Sequence, residues 1–245
     1  MRRDGGIGTA LIFAAALLYS AVGHAGASGY LAVMAFLGTA PAEMRPTALV
    51  LNLLVASIGT VQFARAGHFR WSLFWPFALG SIPAAYLGGR LALPGNWYRA
   101  VVGVVLLLSA VRFAVTLRTA DVVRTDPPRL LAVVAGLALG LLAGLTGVGG
   151  GIFLSPLLLM AGWADLRTTA ATSAAFILVN SAAGLLGQGA TLDALPPTVV
   201  GWAVAAILGG AIGSYLGSRR LGGAALRATL ATVLVVAGVK LVLQR

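Results

Sequence analysis

The groups in this chain that could do chemistry gather at two places, and the first is bare backbone: Gly147-Val148-Gly149-Gly150-Gly151, set in an otherwise apolar segment. Glycine in a helix interior costs roughly 1 kcal/mol relative to alanine, so this density of glycine predicts a break. In hydrocarbon, freed N–H and C=O groups are tolerated only where protein or a water-filled cavity receives them. A helix that restarts after a break points unpaired N–H groups and a positive dipole end into the gap, which suits an anion. Gly149, Gly150 and Gly151 leave those groups unobstructed, Gly147 opens the turn, and Thr146 adds a hydroxyl. The competing explanation is close helix packing, the default for Gly209, Gly210 and Gly213.

The second place is Gly23-His24-Ala25-Gly26-Ala27-Ser28-Gly29. Gly26 and Ser28 offer backbone and a hydroxyl. His24 is the one titratable side chain at either break, and an imidazole, with an unperturbed pKa near 6.5, can carry a proton or serve as a neutral hydrogen-bonding group. Thr172-Ser173 and Thr47 lie near the start of the segment after each break, where their hydroxyls reach a substrate oxygen or bond their own helix carbonyls. Asn52 is the strongest binding candidate among the neutral polar residues; for Asn180, Gln62 and Gln188, interhelical hydrogen bonding suffices.

Other chemistry is poorly provided for. All six acidic residues lie in the terminus, loops or segment ends, which argues against a cation site or a carboxylate relay at membrane depth. Two histidines with no clustered carboxylates, and no cysteine, give no metal centre, thiol nucleophile or cofactor motif. An enzyme is not expected: Ser28 beside His24 is the only remote nucleophile–base pair.

The elements holding these groups are membrane helices. The chain is 59% hydrophobic and 9% charged, against about 25% charged in soluble domains. Its net charge of +11 is scattered over loops and helix ends, as topology and lipid headgroups require, and forms no nucleic-acid face. The start, Met1-Arg2-Arg3-Asp4 and then an apolar run from Ile7, reads as a first membrane segment rather than a cleaved leader. Segments follow at Ile7 to Val22, Tyr30 to Leu37, Thr47 to Ala64, Trp71 to Leu93 and Trp97 to Leu117, with Ala40 to Thr47 as a loop. After a polar linker come Arg129 to Thr146, Ile152 to Ala161, Thr169 to Gln188, Thr198 to Gly217 and Ala224 to Leu243. The new helices after the breaks are expected to start at Tyr30 and Ile152.

A shift of 122 to 129 positions lays the first half on the second. Gly23 falls on Gly147, Gly26 on Gly150, Thr47 on Thr172, Gly59 on Gly184, Glu43-Met44-Arg45 on Asp165-Leu166-Arg167, and Tyr86-Leu87-Gly88-Gly89-Arg90 on Tyr215-Leu216-Gly217-Ser218-Arg219. We therefore expect an all-α polytopic membrane protein of two pseudo-symmetric halves, each with about four hydrophobic segments and its first segment broken: residues 1–117, a linker at 118–129, and 130–245. Either a single crossing or a re-entrant hairpin at each break puts ten of the 17 basic residues inside. The basic loop Arg65 to Arg70, set against the basic-free Gly189 to Pro197, favours inverted halves with the former loop cytoplasmic. Paired broken segments point to a secondary transporter's binding site, with the breaks meeting near the bilayer midplane.

Gly147 to Pro156, followed by Ala171-Thr172-Ser173, resembles the TauE/SafE family of sulfite and organosulfonate exporters, as does the basic loop ending Arg70-Trp71. The first half departs from the pattern, with Ala25 and Ala27 replacing glycines and Ala32 standing where the second half has Pro156. The resemblance implies a bacterial inner-membrane exporter of a small anion, such as sulfite, an organosulfonate or a related oxyanion or carboxylate. An anion channel is the alternative. The expected partners are that anion and the bilayer, and a homo-oligomer is compatible with the sequence.

Overall fold

A computed structural model describes residues 2–91, 104, 107, 125–189 and 195–220. The expected spans Trp97 to Leu117 (apart from Val104 and Leu107) and Ala224 to Leu243, much of the linker, and with them Asp121 and Asp193, lie outside the described residues.

The described residues form eight helices and no strand: α1 (Arg2–Ala21), α2 (Ala27–Phe36), α3 (Pro41–Arg65), α4 (Trp71–Arg90), α5 (Arg129–Thr146), α6 (Gly151–Met160), α7 (Leu166–Gln188) and α8 (Val199–Arg219). Helices α3, α5, α7 and α8 are long and apolar enough to cross a bilayer. The expected loop at Ala40 to Thr47 is instead the opening of α3, because Pro41 at the first helical position presets the backbone and Glu43 favours the positive helix end. Helices α2 and α6 start at Ala27 and Gly151, each slightly earlier than expected.

Both breaks are the tips of helical hairpins. A Cβ placed on Gly8 would lie 2.8 Å from Leu37 Cδ1, and one on Gly29 would lie 2.8 Å from Ala15 Cβ, so α2 doubles back along α1. Likewise the Thr125 amide donates to the Gly162 carbonyl at 3.4 Å, bringing the end of α6 back beside the approach to α5. At ten residues each, α2 and α6 are about 15 Å long, half a hydrocarbon core.

Helices α3 and α7 run antiparallel through the centre. Phe63 packs with Ala170, Gly59 faces Ala174, Asn52 reaches Ser181 and Leu49 lies against Gly184, so one chain rises as the other falls. On the flanks α1 packs on α8 and α5 on α4. Both flanking contacts use glycines at four-residue spacing: Gly136, Gly140 and Gly144 sit on the backbone of Phe77, Ser81 and Ala85, and Gly209, Gly213 and Gly217 on that of Phe13, Leu17 and Ala21. A side chain on any of these would enter the neighbouring helix, as membrane helices without a hydrophobic drive between them require. Large apolar residues point outward, including Leu130, Val134, Leu137 and Leu141 on α5 and Val200, Val204, Leu208 and Ile212 on α8. This inside-out pattern suits lipid. Each Tyr-Leu-Gly-x-Arg stretch makes the same contact, with Arg90 over the Tyr86 ring and Arg219 over that of Tyr215.

Candidate functional site

The tip of the first hairpin comes to rest on the second half of the chain. Gly23 lies directly on the backbone of Ala170 in α7, and beside it His24, 6% exposed, enters a hydrogen-bonded chain. His24 Nε2 is 2.8 Å from Ser155 Oγ on α6, which is 2.7 Å from Ser173 Oγ on α7. All three side chains are buried. The tip itself is held by Tyr30, whose hydroxyl donates to the Ala25 carbonyl at 2.6 Å. Gly26 is the residue preceding α2, at a φ of 126° that favours glycine, and Ser28 is buried in the helix's first turn.

The second tip rests on the first half. Gly147 lies against Arg45 of α3, while Gly149 and Gly150 adopt left-handed backbone at φ 80°. Around Gly149, Asn52 Nδ2 is 3.4 Å from both the Val148 carbonyl and Ser181 Oγ. Thr146 donates to the Leu142 carbonyl at 2.7 Å and accepts from the Val148 amide at 3.3 Å. The glycine backbone is covered rather than open: a Cβ on Gly149 would lie 2.8 Å from Ile177 Cγ2, and one on Gly151 would lie 2.6 Å from Ile177 Cδ1.

The candidate residues thus fall into two clusters. His24 and Ser173, with Ser155, form one; Asn52, Gly147, Gly149 and the neighbouring Gly150 form the other, with Ser181. Ser173, Ile177 and Ser181 share one face of α7 at four-residue spacing, so Ile177 stands between the clusters, packed with Val148 and Ile152. Thr172 donates to its own helix carbonyl at Thr168, 2.8 Å away, which spends its proton inside α7. Thr47 is fully buried, and its Oγ1 has no hydrogen-bond partner among the described residues; the same holds for Asn52 Oδ1 and both amide atoms of Asn180. Leaving a buried polar atom unpaired costs about 1–3 kcal/mol, so these atoms sit where a polar ligand would be welcome.

Ser155, Ser181 and Arg45 stand outside the sequence-based candidate set. Ser155 lies within the Gly147–Pro156 stretch, but its partner His24 is 131 residues away, and only folding joins them. Arg45, 6% exposed, donates from Nη2 to the Gly88 and Gly89 carbonyls at 2.7 Å and from Nη1 to Leu91 at 2.9 Å, closing the C-terminal end of α4. The expected pairing of Arg45 with Arg167 fails here, because Arg167 is exposed in the first turn of α7. The starts of α3 and α7 are separated by the same interval as Thr47 and Thr172, and that interval gives Arg45 and Ala170 the same place in their respective helices. Each of these two residues carries the first glycine of the other half's tip.

The family profile described as Sulfite exporter TauE/SafE matches residues 8–241. The chain belongs to this family. This TauE/SafE chain is 44% identical over 240 residues to the probable membrane transporter protein y4hK of Sinorhizobium fredii (strain NBRC 101917 / NGR234), covering 96% of this chain and 97% of that protein. No solved structure matches it. It is a multi-pass membrane transporter, so the buried clusters belong to a protein that moves a small molecule through the bilayer.

Proposed function

We propose that this TauE/SafE transporter is a secondary carrier that exports a small anion, sulfite, an organosulfonate or a related oxyanion or carboxylate, across a bacterial inner membrane by alternating access. One observation carries the reading: two hairpins enter from opposite ends of the antiparallel α3–α7 pair, and each brings its tip to a polar cluster, with the Ile177 layer between them. Inverted pseudo-symmetric halves supply that arrangement. The packing pairs support them, since α1 on α8 answers α5 on α4, and α2 on α3 answers α6 on α7. At the first cluster the Ser155 and Ser173 hydroxyls and a protonated His24 would donate to the anion; at the second, the Asn52 amide and the hydroxyl of Ser181 would do so. Moving one half against the other shifts the Ile177 layer and exposes one cluster at a time.

Purified protein in proteoliposomes should move labelled sulfite or a small sulfonate saturably, and Gly150→Leu, which forces a side chain onto left-handed backbone against Phe176 and Ala143, should abolish that movement. Absence of flux for sulfite, sulfonates and small carboxylates under every pH gradient would defeat the reading, and unitary currents would replace the carrier with a channel. The 2.8 Å contact of Ser155 with His24 also has nucleophile–base geometry, which favours a hydrolytic reading second. Covalent labelling of Ser155 by a fluorophosphonate would bring that reading forward.

A further inference from the structure

We infer that the cleft between the α3–α4 turn and the first turn of α7 is an outer anion-binding subsite from which the carrier loads its substrate, with Arg167 as the capturing residue. The inference rests on the reading of this chain as an anion carrier. The cleft has a volume of about 470 Å³ and is lined by Gly67, His68, Arg70, Asp165, Arg167 and Thr168, among others. At about 30 Å³ per water, that is room for a small oxyanion with most of its hydration shell.

Its charges do not cancel evenly. Arg70 Nη2 pairs with Asp126, and Arg70 Nη1 donates to the Trp163 carbonyl at 3.4 Å. Asp165 caps α7, its Oδ1 accepting from the Thr168 amide at 2.7 Å, so this carboxylate already meets the positive end of that helix. Arg167 remains: it is exposed, lines the cleft and forms no ion pair with any carboxylate among the described residues. A guanidinium offers a planar fork of N–H donors that matches two oxygens of a sulfite, sulfonate or carboxylate. His68, on the opposite wall, adds a further polar group.

The position fits loading. Ala170, on which Gly23 of the first tip rests, is two residues beyond Thr168 on α7. Ser173 is five residues beyond Thr168, about 7.5 Å along the helix. An anion held at Arg167 therefore waits just outside the His24–Ser155–Ser173 cluster, with the first hairpin's tip between them. The cleft opens at the basic Arg65–Arg70 turn, the end that the positive-inside rule assigns to the cytoplasm, where an exporter must collect its cargo.

The test compares wild type, Arg167→Gln and Arg167→Lys. Labelled sulfite flux is measured in pure phosphatidylcholine vesicles, and inorganic sulfate is titrated against tryptophan fluorescence in detergent. Arg167→Gln should raise the half-saturating concentration roughly tenfold in both assays, the scale of one charge-assisted hydrogen bond, with the maximal flux retained. Arg167→Lys should recover most of the shift, which also shows that position 167 tolerates replacement. Unchanged half-saturation in Arg167→Gln would overturn the inference. So would a fluorescence response that follows added phosphatidylglycerol and ignores sulfate, which would make the cleft a lipid headgroup site. Arg167-dependent sulfate binding without flux of any anion would leave the subsite standing and remove the carrier reading.

Discussion

The two hairpin tips occupy corresponding places, yet they are built from different materials. The first contributes a side chain: His24 crosses to Ser155 and Ser173, and the tip is stiffened by the Tyr30 hydroxyl on the Ala25 carbonyl. The second contributes glycine backbone, which Ile177, Asn52 and Ser181 together cover at Gly149. Their footings differ in the same way. The second tip stands on Arg45, which is fixed by three carbonyls at the C-terminal end of α4, whereas the first stands on Ala170, which has no polar side chain. One scaffold thus carries an ionisable tip on a plain support and a plain tip on a charged one. If both bind the same anion, they do so with unequal chemistry.

The largest expected effect lies under the second tip. Arg45→Ala would leave three carbonyls at the C-terminal end of α4 without their donor, and since a hydrogen bond to a charged group contributes about 1.5–3 kcal/mol, the loss should be about 3 kcal/mol or more. Thermal unfolding in detergent should show that loss. Ala170→Ser, at the corresponding footing of the first tip, adds a single oxygen at a place already in close contact and should cost about 1 kcal/mol or less. Equal losses at the two footings would end the distinction drawn between them.

Next in size is Gly149→Ala. The new Cβ would meet Ile177 and Asn52 and would have to keep a φ of 80°, a strain of about 1–3 kcal/mol before the clash is added. Thermal unfolding should reveal this cost, and reconstituted flux should fall at least tenfold, because the tip cannot keep its seat. Ile177→Ala should relieve the clash, and a double-mutant cycle would then give a favourable coupling. Additive effects would place Gly149 away from the Ile177 layer.

Much of this was legible in the chain. The breaks, the membrane class and the boundaries of α5 follow from glycine density and apolar length, both of which are local. The relative direction of α3 and α7 was not visible, because the basic residues divide equally between the two arrangements; contacts such as Asn52 with Ser181 and Leu49 with Gly184 make these helices antiparallel. The site was less legible still. A glycine run reads as exposed backbone whether it faces a cavity or an isoleucine, and the sequence does not tell these apart. Arg45 and Arg167 look alike in sequence, yet one is sealed against α4 while the other lines a cleft.

A smaller effect is expected within the first cluster. Ser155→Ala removes the hydroxyl that links His24 to Ser173 and should cost about 1–3 kcal/mol if the partners stay dry. Cycles pairing Ser155→Ala with His24→Ala and with Ser173→Ala should both show coupling, since Ser155 touches both groups. Coupling to only one of them would reduce the chain of three to a simple pair.

The smallest effect sharpens the comparison most, because it turns a piece of the first tip into the material of the second. Ala25 has a φ of 34°, the only positive value at a non-glycine position among the described residues. An L-residue on that side of the map loses roughly 1–2 kcal/mol to contact between Cβ and backbone, and glycine escapes the cost. Ala25→Gly should therefore relax the native tip. The gain is opposed by the greater freedom of glycine in the unfolded chain, about 0.4–1 kcal/mol, and Tyr30 still holds the residue's carbonyl. The net change should be no larger than about 1 kcal/mol and of stabilising sign, opposite to Gly149→Ala. Flux should be retained, because His24, Ser155 and Ser173 are untouched. A loss of stability comparable to that of Gly149→Ala would mean that the first tip needs the Ala25 methyl for packing, and that the two tips are tuned alike.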